Sequence, residues 1–466
     1  MGWDKKAIVA EARTNMKYKS VWMEMSGALG DLGTFVPIVV ALVLANGLDL
    51  GTTLIFTGAY NIITGIGFGV PMPVQPMKSI AAVAISEHLT LPEIMAAGLT
   101  TSALLFGLGA TGLMYVVQRL VPLPVVRGIQ LSQGLSFAIT GVKYVLKNQN
   151  FTTGKTKGNR DWIGLDGMLV ALLMFCFIVV VGGSGPPPPD HDLPTDTTDT
   201  EKQPSSSAWR RRLQRVPTAI IVFIVGLVLA IIRKPSVFSS LSFGPAKPIV
   251  YSHIAASEWR RGFLRAAIPQ IPLSVLNSVV AVCKLAGDLY PDKKSAVSTT
   301  KVSVSVGLMN LVGCWFGAMP ACHGAGGLAG QWRFGARSGA AVVFLGGLKV
   351  LLGLLLGSSL VKLLDAYPVG ILGVLLFYAG LELAMACRDQ TKRADSFVVI
   401  GSAAMSIATS SAAIGFAFSL GVHILFCLPD MTPASVSEKF RSIFRREPLP
   451  SSTTGTITTT TTNSGV

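Results

Sequence analysis

Two short segments of the chain carry the residues whose types and spacing are best suited to bind a ligand. They span residues 69–78 and 317–326, and each interrupts a long apolar run with prolines and glycines. The candidate binding residues in these segments are Gln75, Pro76, Met77, Lys78, His323 and Gly324. Because a broken helix exposes backbone groups, it is tolerated in a membrane only where it lines a cavity. The pair therefore predicts a binding site near the middle of a membrane, and its donors and positive charge favour a small anion.

The first segment can supply positive charge and hydrogen-bond donors. Its prolines prevent a regular helix, and Pro76 suits the first position of a new helix because proline has no amide hydrogen. The free amides and positive dipole end of that helix attract an anion by about 0.3–2 kcal/mol per charge. Gln75 adds a side-chain amide and Lys78 adds a full charge. An unpaired lysine at this depth is costly, so we expect a negative partner, either the ligand or Asp31 when the site is empty.

The second segment offers an opposing helix start. Pro320 breaks the chain, and the glycines that follow His323 let a ligand approach the backbone closely. His323 either donates a hydrogen bond and takes up a proton, or it is a packed, neutral histidine; the sequence favours neither. Cys322 is interpreted as a small packing residue. The six cysteines show no paired metal-ligand spacing, so we predict no metal and no cofactor.

Further polar residues fall inside predicted helices. Gln270 and Asn277 are neutral donors that either face the site or pair with broken backbone. Asp31 lies deep beside the site and is our candidate for a proton carrier that couples ligand movement to a gradient. Lys349 and Glu382 lie at similar depths in successive helices. We predict that they form a structural pair, with a role in gating or coupling as the alternative.

The composition indicates that most of the chain lies in a membrane. Half of the 466 residues are hydrophobic, 14% are charged and the mean hydropathy is +0.56. The run 32–68 carries one charge, Asp49, and the run 340–360 carries one, Lys349. Both exceed the roughly 20 residues that a spanning helix needs. The first 20 residues are basic without an apolar core, so we predict no cleavable signal peptide.

The apolar runs predict an all-α polytopic membrane protein with seven segments in each half. They lie near residues 21–45, 51–69, 70–87, 92–118, 123–146, 164–183, 217–232, 262–288, 295–316, 317–331, 340–361, 368–387, 395–409 and 411–428. An odd number of segments places the two halves in opposite orientations, which is typical of inverted-repeat transporters. Residues 30–37 and 269–278 support this pairing, because both mix polar and helix-breaking residues in the first span of a half.

The distribution of charge predicts a cytoplasmic N-terminus. Lysine and arginine concentrate in loops that this orientation places inside, but the outside loops near 143–160 and 233–261 are also basic. Either the span count is wrong there or these charges attract anions. We interpret most of the net charge of +15 as a topology signal rather than as a surface for nucleic acid. Residues 184–216 and 429–466 are predicted to be disordered, the first as a cytoplasmic linker.

At its broken segments the chain resembles the molybdate transporter family, which is related to the sulfate permeases. The matching residues are 26–34 with Pro37, 69–78 with 80–82, and 269–274 with 277–279. The resemblance implies a seven-plus-seven inverted repeat, with two half-broken helices at the bilayer midplane, a core domain, a gate domain and molybdate as cargo. The sulfate permeases usually carry a STAS domain, and by this resemblance we predict none here.

From these observations we predict a secondary active molybdate transporter that works by alternating access, with sulfate as the main competitor and protons as the coupling ion. The predicted parts are an N-terminal tail (1–20), core (21–118 and 262–361), gate (119–183, 217–232 and 362–428), linker (184–216), loop (233–261) and C-terminal tail (429–466). The plasma membrane and endomembranes such as the vacuole or endoplasmic reticulum fit equally well. Related folds often form homodimers, although no feature of this sequence indicates one.

Other functions fit these residues less well. A permease for sulfate, another small anion or a nucleobase on the same fold is the alternative, but a base needs paired donors and acceptors. An enzyme is not predicted, because the sequence shows no nucleophile–base set, metal cluster or phosphate loop with suitable spacing. A structural or signalling membrane protein would not need paired broken helices.

Overall fold

The computed structural model describes residues 5–153, 155–183, 216–237, 241–244, 253–293 and 296–430, together with Leu213 and Val250. The predicted disordered linker at 184–216 and the predicted tail at 429–466 lie almost entirely outside these residues. Within the described residues the chain is mostly helical and its longer helices are apolar, in agreement with an integral membrane protein.

The described elements are helices and four short strands. In chain order they are α1 (Lys5–Asn15), α2 (Val21–Leu29), α3 (Leu32–Asn46), α4 (Leu50–Phe68), β1 (Val74–Pro76), α5 (Lys78–Glu87), α6 (Leu91–Ala110), α7 (Leu113–Leu120), α8 (Leu123–Leu146), β2 (Lys147–Asn150), β3 (Lys155–Asn159), α9 (Met168–Gly182), α10 (Thr218–Arg233), α11 (Ala256–Leu289), α12 (Thr299–Gly313), β4 (Ala321–His323), α13 (Ala325–Arg333), α14 (Ala340–Leu355), α15 (Val361–Ala366), α16 (Val369–Ala384), α17 (Arg393–Ala408) and α18 (Ala412–Cys427).

The first predicted span is two helices rather than one. α2 and α3 meet at an angle of 43°, with Gly30 and Asp31 between them. In the second half, α14 turns by 114° into the segment Gly357–Ala366. Among the described residues, up to five spans are long and apolar enough to cross a membrane if each bent pair counts as one. Shorter apolar helices include α9, α10 and α18. The total of fourteen segments stays a prediction.

The two broken segments meet each other as a short antiparallel sheet. The paired residues of β1 and β4 are Val74 with His323, Gln75 with Cys322, and Pro76 with Ala321. The prediction that Pro76 opens a helix is wrong, because Pro76 ends β1 and Lys78 is the first residue of α5. Proline favours extended backbone in the residue before it, and its missing amide is tolerated in a strand that has a free edge. One residue separates each strand from the helix that follows it.

Two buried asparagines hold these strands in place. Asn61 Oδ1 in α4 accepts a hydrogen bond from the Val74 amide at 2.8 Å. Asn310 in α12 binds both the amide and the carbonyl of Ala321, each at 2.6 Å. Each asparagine belongs to the helix that precedes its strand, so the two halves build their broken segments in the same way. This likeness fits an inverted repeat, but the opposite orientation of the halves stays a prediction.

Glycines let the long helices approach each other closely. A Cβ added to Gly58 in α4 would lie 2.7 Å from the carbonyl oxygen of Gly346 in α14. One added to Gly134 in α8 would lie 2.6 Å from the carbonyl oxygen of Gly380 in α16. Such contacts are typical of membrane helices, where small residues allow close packing. The first pair of helices belongs to the predicted core and the second to the predicted gate.

Candidate functional site

The bend between α2 and α3 places Asp31 against β1. Gln75 Nε2 donates a hydrogen bond to Asp31 Oδ1, and both side chains are almost fully buried. A Cβ added to Gly324 would lie 1.8 Å from Gln75 Oε1, so this glycine leaves the space that the amide occupies. Asp31 Oδ2 has no hydrogen-bond partner among the described residues. The structure therefore brings Asp31 and Gln75 together. The side-chain amide of Gln75, which was predicted to face a ligand, instead donates its hydrogen bond to the Asp31 carboxylate.

Lys78 stands at the wall of a cavity of about 620 Å³. Its Nζ lies 3.6 Å from the centroid of the Phe137 ring, and no hydrogen-bond partner for it is found in the described parts of the chain. Thr34, Thr140 and Tyr144, which carry hydroxyl groups, line the same cavity. Lys78 therefore borders the cavity, while its buried Nζ lies against the Phe137 ring, which lines the same cavity.

The cavity extends from Lys78 to the hairpin formed by β2 and β3. Gln149, Asn150 and Lys155 belong to this hairpin or its turn and line that part of the wall. The hairpin occupies the basic loop that the predicted topology places outside. The positive charge of this loop did not fit the topology rule. It includes Lys155, which lines the same cavity as Lys78.

Gln270 caps the start of α5. Its Oε1 accepts hydrogen bonds from the amides of Ser79 at 2.9 Å and Ile80 at 3.4 Å, and its Nε2 donates to Ser274 Oγ at 2.8 Å. Of the two roles that the sequence left open, the structure shows pairing with broken backbone. Two of the amides that were predicted to bind the anion are therefore already bonded, and the contribution of this helix start is mainly the charge of Lys78.

His323 and Asn277 are buried away from this cavity. His323 Nε2 lies 3.5 Å from Ser305 Oγ, and its ring packs edge-on against Phe68. Asn277 lies in a π-helical turn, Leu276–Ala281, and its Oδ1 has no partner within the described part of the protein. Neither residue is among the described residues that line the cavity, and the same holds for Gln270 and Gly324.

Phe137 in α8 covers the space between the two helix starts. Besides its contact with Lys78, its ring faces the first turn of α13, because a Cβ added to Gly326 would lie 1.9 Å from Phe137 Cε2. Phe137 is not among the predicted site residues. An aromatic side chain in an apolar helix looks like any packing residue, and no pattern in the sequence marks it as different.

Lys349 and Glu382 do not form the predicted pair. Lys349 Nζ lies 3.6 Å from the centroid of the Phe35 ring, one turn after Asp31 on α3, and is attracted electrostatically to Asp31. The charges acting on Glu382 are those of Arg333, Arg337 and Arg388. The reason is packing, since α14 lies along α4 whereas α16 lies along α8. Similar depth therefore did not place the two side chains on facing surfaces.

A cluster of charges lies at the end of α8 opposite the hairpin. Arg127 donates to Asp288 Oδ2 at 2.8 Å and also pairs with Asp389. The arginine side chain is buried, whereas the two carboxylates are partly exposed. Asp288 belongs to the predicted core, and Arg127 and Asp389 belong to the predicted gate. The cluster therefore joins these two parts.

Two solved structures, both of SLC26A9, share the fold of this chain. The structure of SLC26A9 aligns with 91% of this chain and 70% of its own chain, with a TM-score of 0.55 and 15% sequence identity. The inward-facing structure of the murine protein aligns with 92% of this chain and 72% of its own chain, with a TM-score of 0.55 and 16% sequence identity. At this level of identity the likeness shows the fold alone.

Sequence comparison gives much closer relatives. Molybdate transporter 1 of Arabidopsis thaliana is 56% identical over 87% of this chain and 88% of its own length. Molybdate transporter 2 of the same plant is 55% identical over 90% of each chain, and molybdate transporter 1 of Chlamydomonas reinhardtii is 37% identical over 86% of this chain and 90% of its own length. These relatives are named transporters and not enzymes. The profile of the family described as "Molybdate transporter of MFS superfamily" matches residues 23–137 and 262–383. The chain belongs to the molybdate transporter family.

Proposed function

We propose that the protein is a secondary active transporter that carries molybdate across a membrane by alternating access. Its relatives in a plant and an alga are named molybdate transporters. The observation that carries the proposal is Lys78, which lines the cavity and whose buried Nζ has no hydrogen-bond partner among the described residues. Molybdate is a tetrahedral dianion and needs positive charge and donors, both of which this cavity offers.

In this proposal the anion binds between Lys78 and the start of α13. The helix start contributes the positive end of its dipole, and the glycines there allow close approach to the backbone. Phe137 covers this space in the present structure, so its ring moves when the anion binds. Gln75 keeps Asp31 beside the site, while Pro76 and Met77 bring the chain from β1 into α5.

The positions of the cavity and of the charge cluster support alternating access. The cavity reaches the hairpin at one end of α8, and Arg127 joins Asp288 and Asp389 at the other end. With the predicted cytoplasmic N-terminus, this structure is open to the outside and closed to the inside. Movement of the predicted core against the predicted gate would break the bond between Arg127 and Asp288 and close the outer cavity.

Asp31 is the proposed carrier of the coupling proton. It is a buried carboxylate in the same bend that holds Gln75, and one of its oxygens has no hydrogen-bond partner within the described structure. A buried carboxylate that lies close to a ligand's charge can exchange a proton when the ligand arrives, because the charged form is poorly solvated there.

The test is binding of labelled molybdate to the purified protein, followed by uptake into proteoliposomes with an imposed proton gradient and with sulfate as competitor. A hydrogen bond to a charged group contributes about 1.5–3 kcal/mol, so Lys78→Met should weaken binding by about 10- to 150-fold. Lys301→Met is the matched control, because Lys301 is exposed on α12. Wild-type affinity in a correctly inserted Lys78→Met variant would refute the site, and absence of molybdate binding to the wild type would refute the function.

A further inference from the structure

Two lysines, and not one, act electrostatically on Asp31. Lys349 is 4% exposed and lies on α14, which packs along α4. Its Nζ sits over the Phe35 ring and has no hydrogen-bond partner in the described residues. Phe35 follows Asp31 by one helical turn, so the two side chains share a face of α3, and the Lys349 ammonium group on that ring is attracted electrostatically to the carboxylate.

Asp31 attracts both lysines electrostatically. A buried ammonium group is strongly disfavoured unless a counter-charge lies near it. One carboxylate therefore serves as the counter-charge of two lysines, which leaves one positive charge available to a ligand.

The charges of these three side chains do not cancel. Two lysines and one carboxylate leave a net charge of +1, and a bound dianion changes this to −1. A proton on Asp31 brings the total to zero. In a medium of low dielectric constant an uncompensated charge is expensive, so the neutral arrangement is favoured.

We propose that Lys349 completes the charge balance of the transport site, so that a tetrahedral dianion binds together with one proton on Asp31. This inference rests on the proposed function, because it assumes that the anion binds at Lys78. It further implies that a tetrahedral monoanion binds without a proton, since the site is then already neutral. Lys349 acts through Asp31 and is a positioning residue for charge rather than a direct ligand.

The experiment counts protons that the full-length purified protein takes up per bound anion. Calorimetric titrations in buffers of different ionisation enthalpy give this count for molybdate and for perchlorate, a tetrahedral monoanion. For the wild type we expect about one proton with molybdate and about none with perchlorate. Molybdate affinity should also fall by about tenfold per pH unit at pH values where Asp31 is charged in the empty protein.

Lys349→Met preserves the apolar stem and removes the charge. We expect its molybdate affinity to fall on the order of 30-fold or more, and perchlorate binding should now take up about one proton. Asp31→Asn is the second variant, and it tests the inference even if Lys349→Met does not fold. It should bind molybdate without proton uptake. The control Lys301→Met should behave like the wild type.

The outcomes separate the inference from the proposed function. If the wild type does not bind molybdate, the proposed function fails. If it binds molybdate without taking up a proton, the inference fails together with the role of Asp31 as proton carrier, whereas the molybdate site at Lys78 stands. A Lys349→Met protein with the proton counts and affinities of the wild type also overturns the inference, because a lysine with a merely structural role would give that result.

Discussion

Replacing Phe137 by alanine should separate ligand binding from transport. The ring is 7% exposed, its centroid lies 3.6 Å from Lys78 Nζ, and a Cβ on Gly326 would lie 1.9 Å from its Cε2. An anion that reaches both helix starts must therefore displace the ring. Without the ring we expect the anion to bind more tightly and to be carried more slowly, because the side chain that covers the site is gone.

The size of the effect follows from the contact between the ring and the ammonium group. A desolvated cation–π contact contributes about 2 kcal/mol, and the anion disrupts this contact when it binds. Removing the contact in advance should raise the affinity by up to about 30-fold. Large-to-small substitutions of phenylalanine in a core destabilise a protein by about 3–5 kcal/mol. The loss should be smaller here, because Phe137 already borders a cavity.

Binding of labelled molybdate and uptake into proteoliposomes are measured side by side for this variant. Ile139→Ala on the same helix is the matched control, because Ile139 is 41% exposed and should change neither quantity. Weaker binding combined with unchanged uptake would refute the idea that the ring covers the site. Unchanged values of both would show that the ring does not separate Lys78 from the ligand.

Two further substitutions test the charge cluster and the helix cap. Asp288→Asn weakens the link between Arg127 and the predicted core, so the population of the inward-open state should increase. A cysteine introduced by Thr140→Cys in the outer cavity should then react more slowly with an impermeant thiol reagent. Equal or faster labelling would contradict this prediction. Gln270→Ala removes two hydrogen bonds to the start of α5 and should destabilise the protein by about 1–3 kcal/mol. We expect the midpoint of thermal unfolding to fall, and molybdate affinity to change less than in Lys78→Met. An unchanged midpoint would show that the Gln270 cap does not stabilise the protein.

The positions of the helices could be predicted because apolar runs and helix breakers are local signals. The predicted span 123–146 coincides with α8, Leu123–Leu146. Gly30 and Asp31, which the sequence marked as unusual inside a span, lie at the bend between α2 and α3. These features depend on residues that are near each other in the chain, so one sequence contains enough information to place them.

The strands in the broken segments could not be predicted in the same way. β1 and β4 have three residues each, which is too few for an alternating pattern to be recognised. Each strand also finds its partner in the other half of the chain. The prolines indicated a break in the helix near Pro76, but the extended backbone there and its pairing with Ala321 depend on the tertiary fold.

The charged residues of the site show which features of their surroundings can be predicted from a sequence. Hydropathy gives the depth of a charged residue, whereas the surface that it faces depends on how its helix packs. Lys349 and Glu382 have similar depths in the sequence-based prediction. In the structure Lys349 lies over the Phe35 ring, whereas the charges that act on Glu382 are those of three arginines. This difference changes the expected chemistry. If Glu382 neutralised Lys349, the site would contain only Lys78 and Asp31 and would be neutral before any ligand arrived. With Lys349 over Phe35 and attracted to Asp31, the proposed site would have a net charge of +1 and would accept a dianion together with one proton.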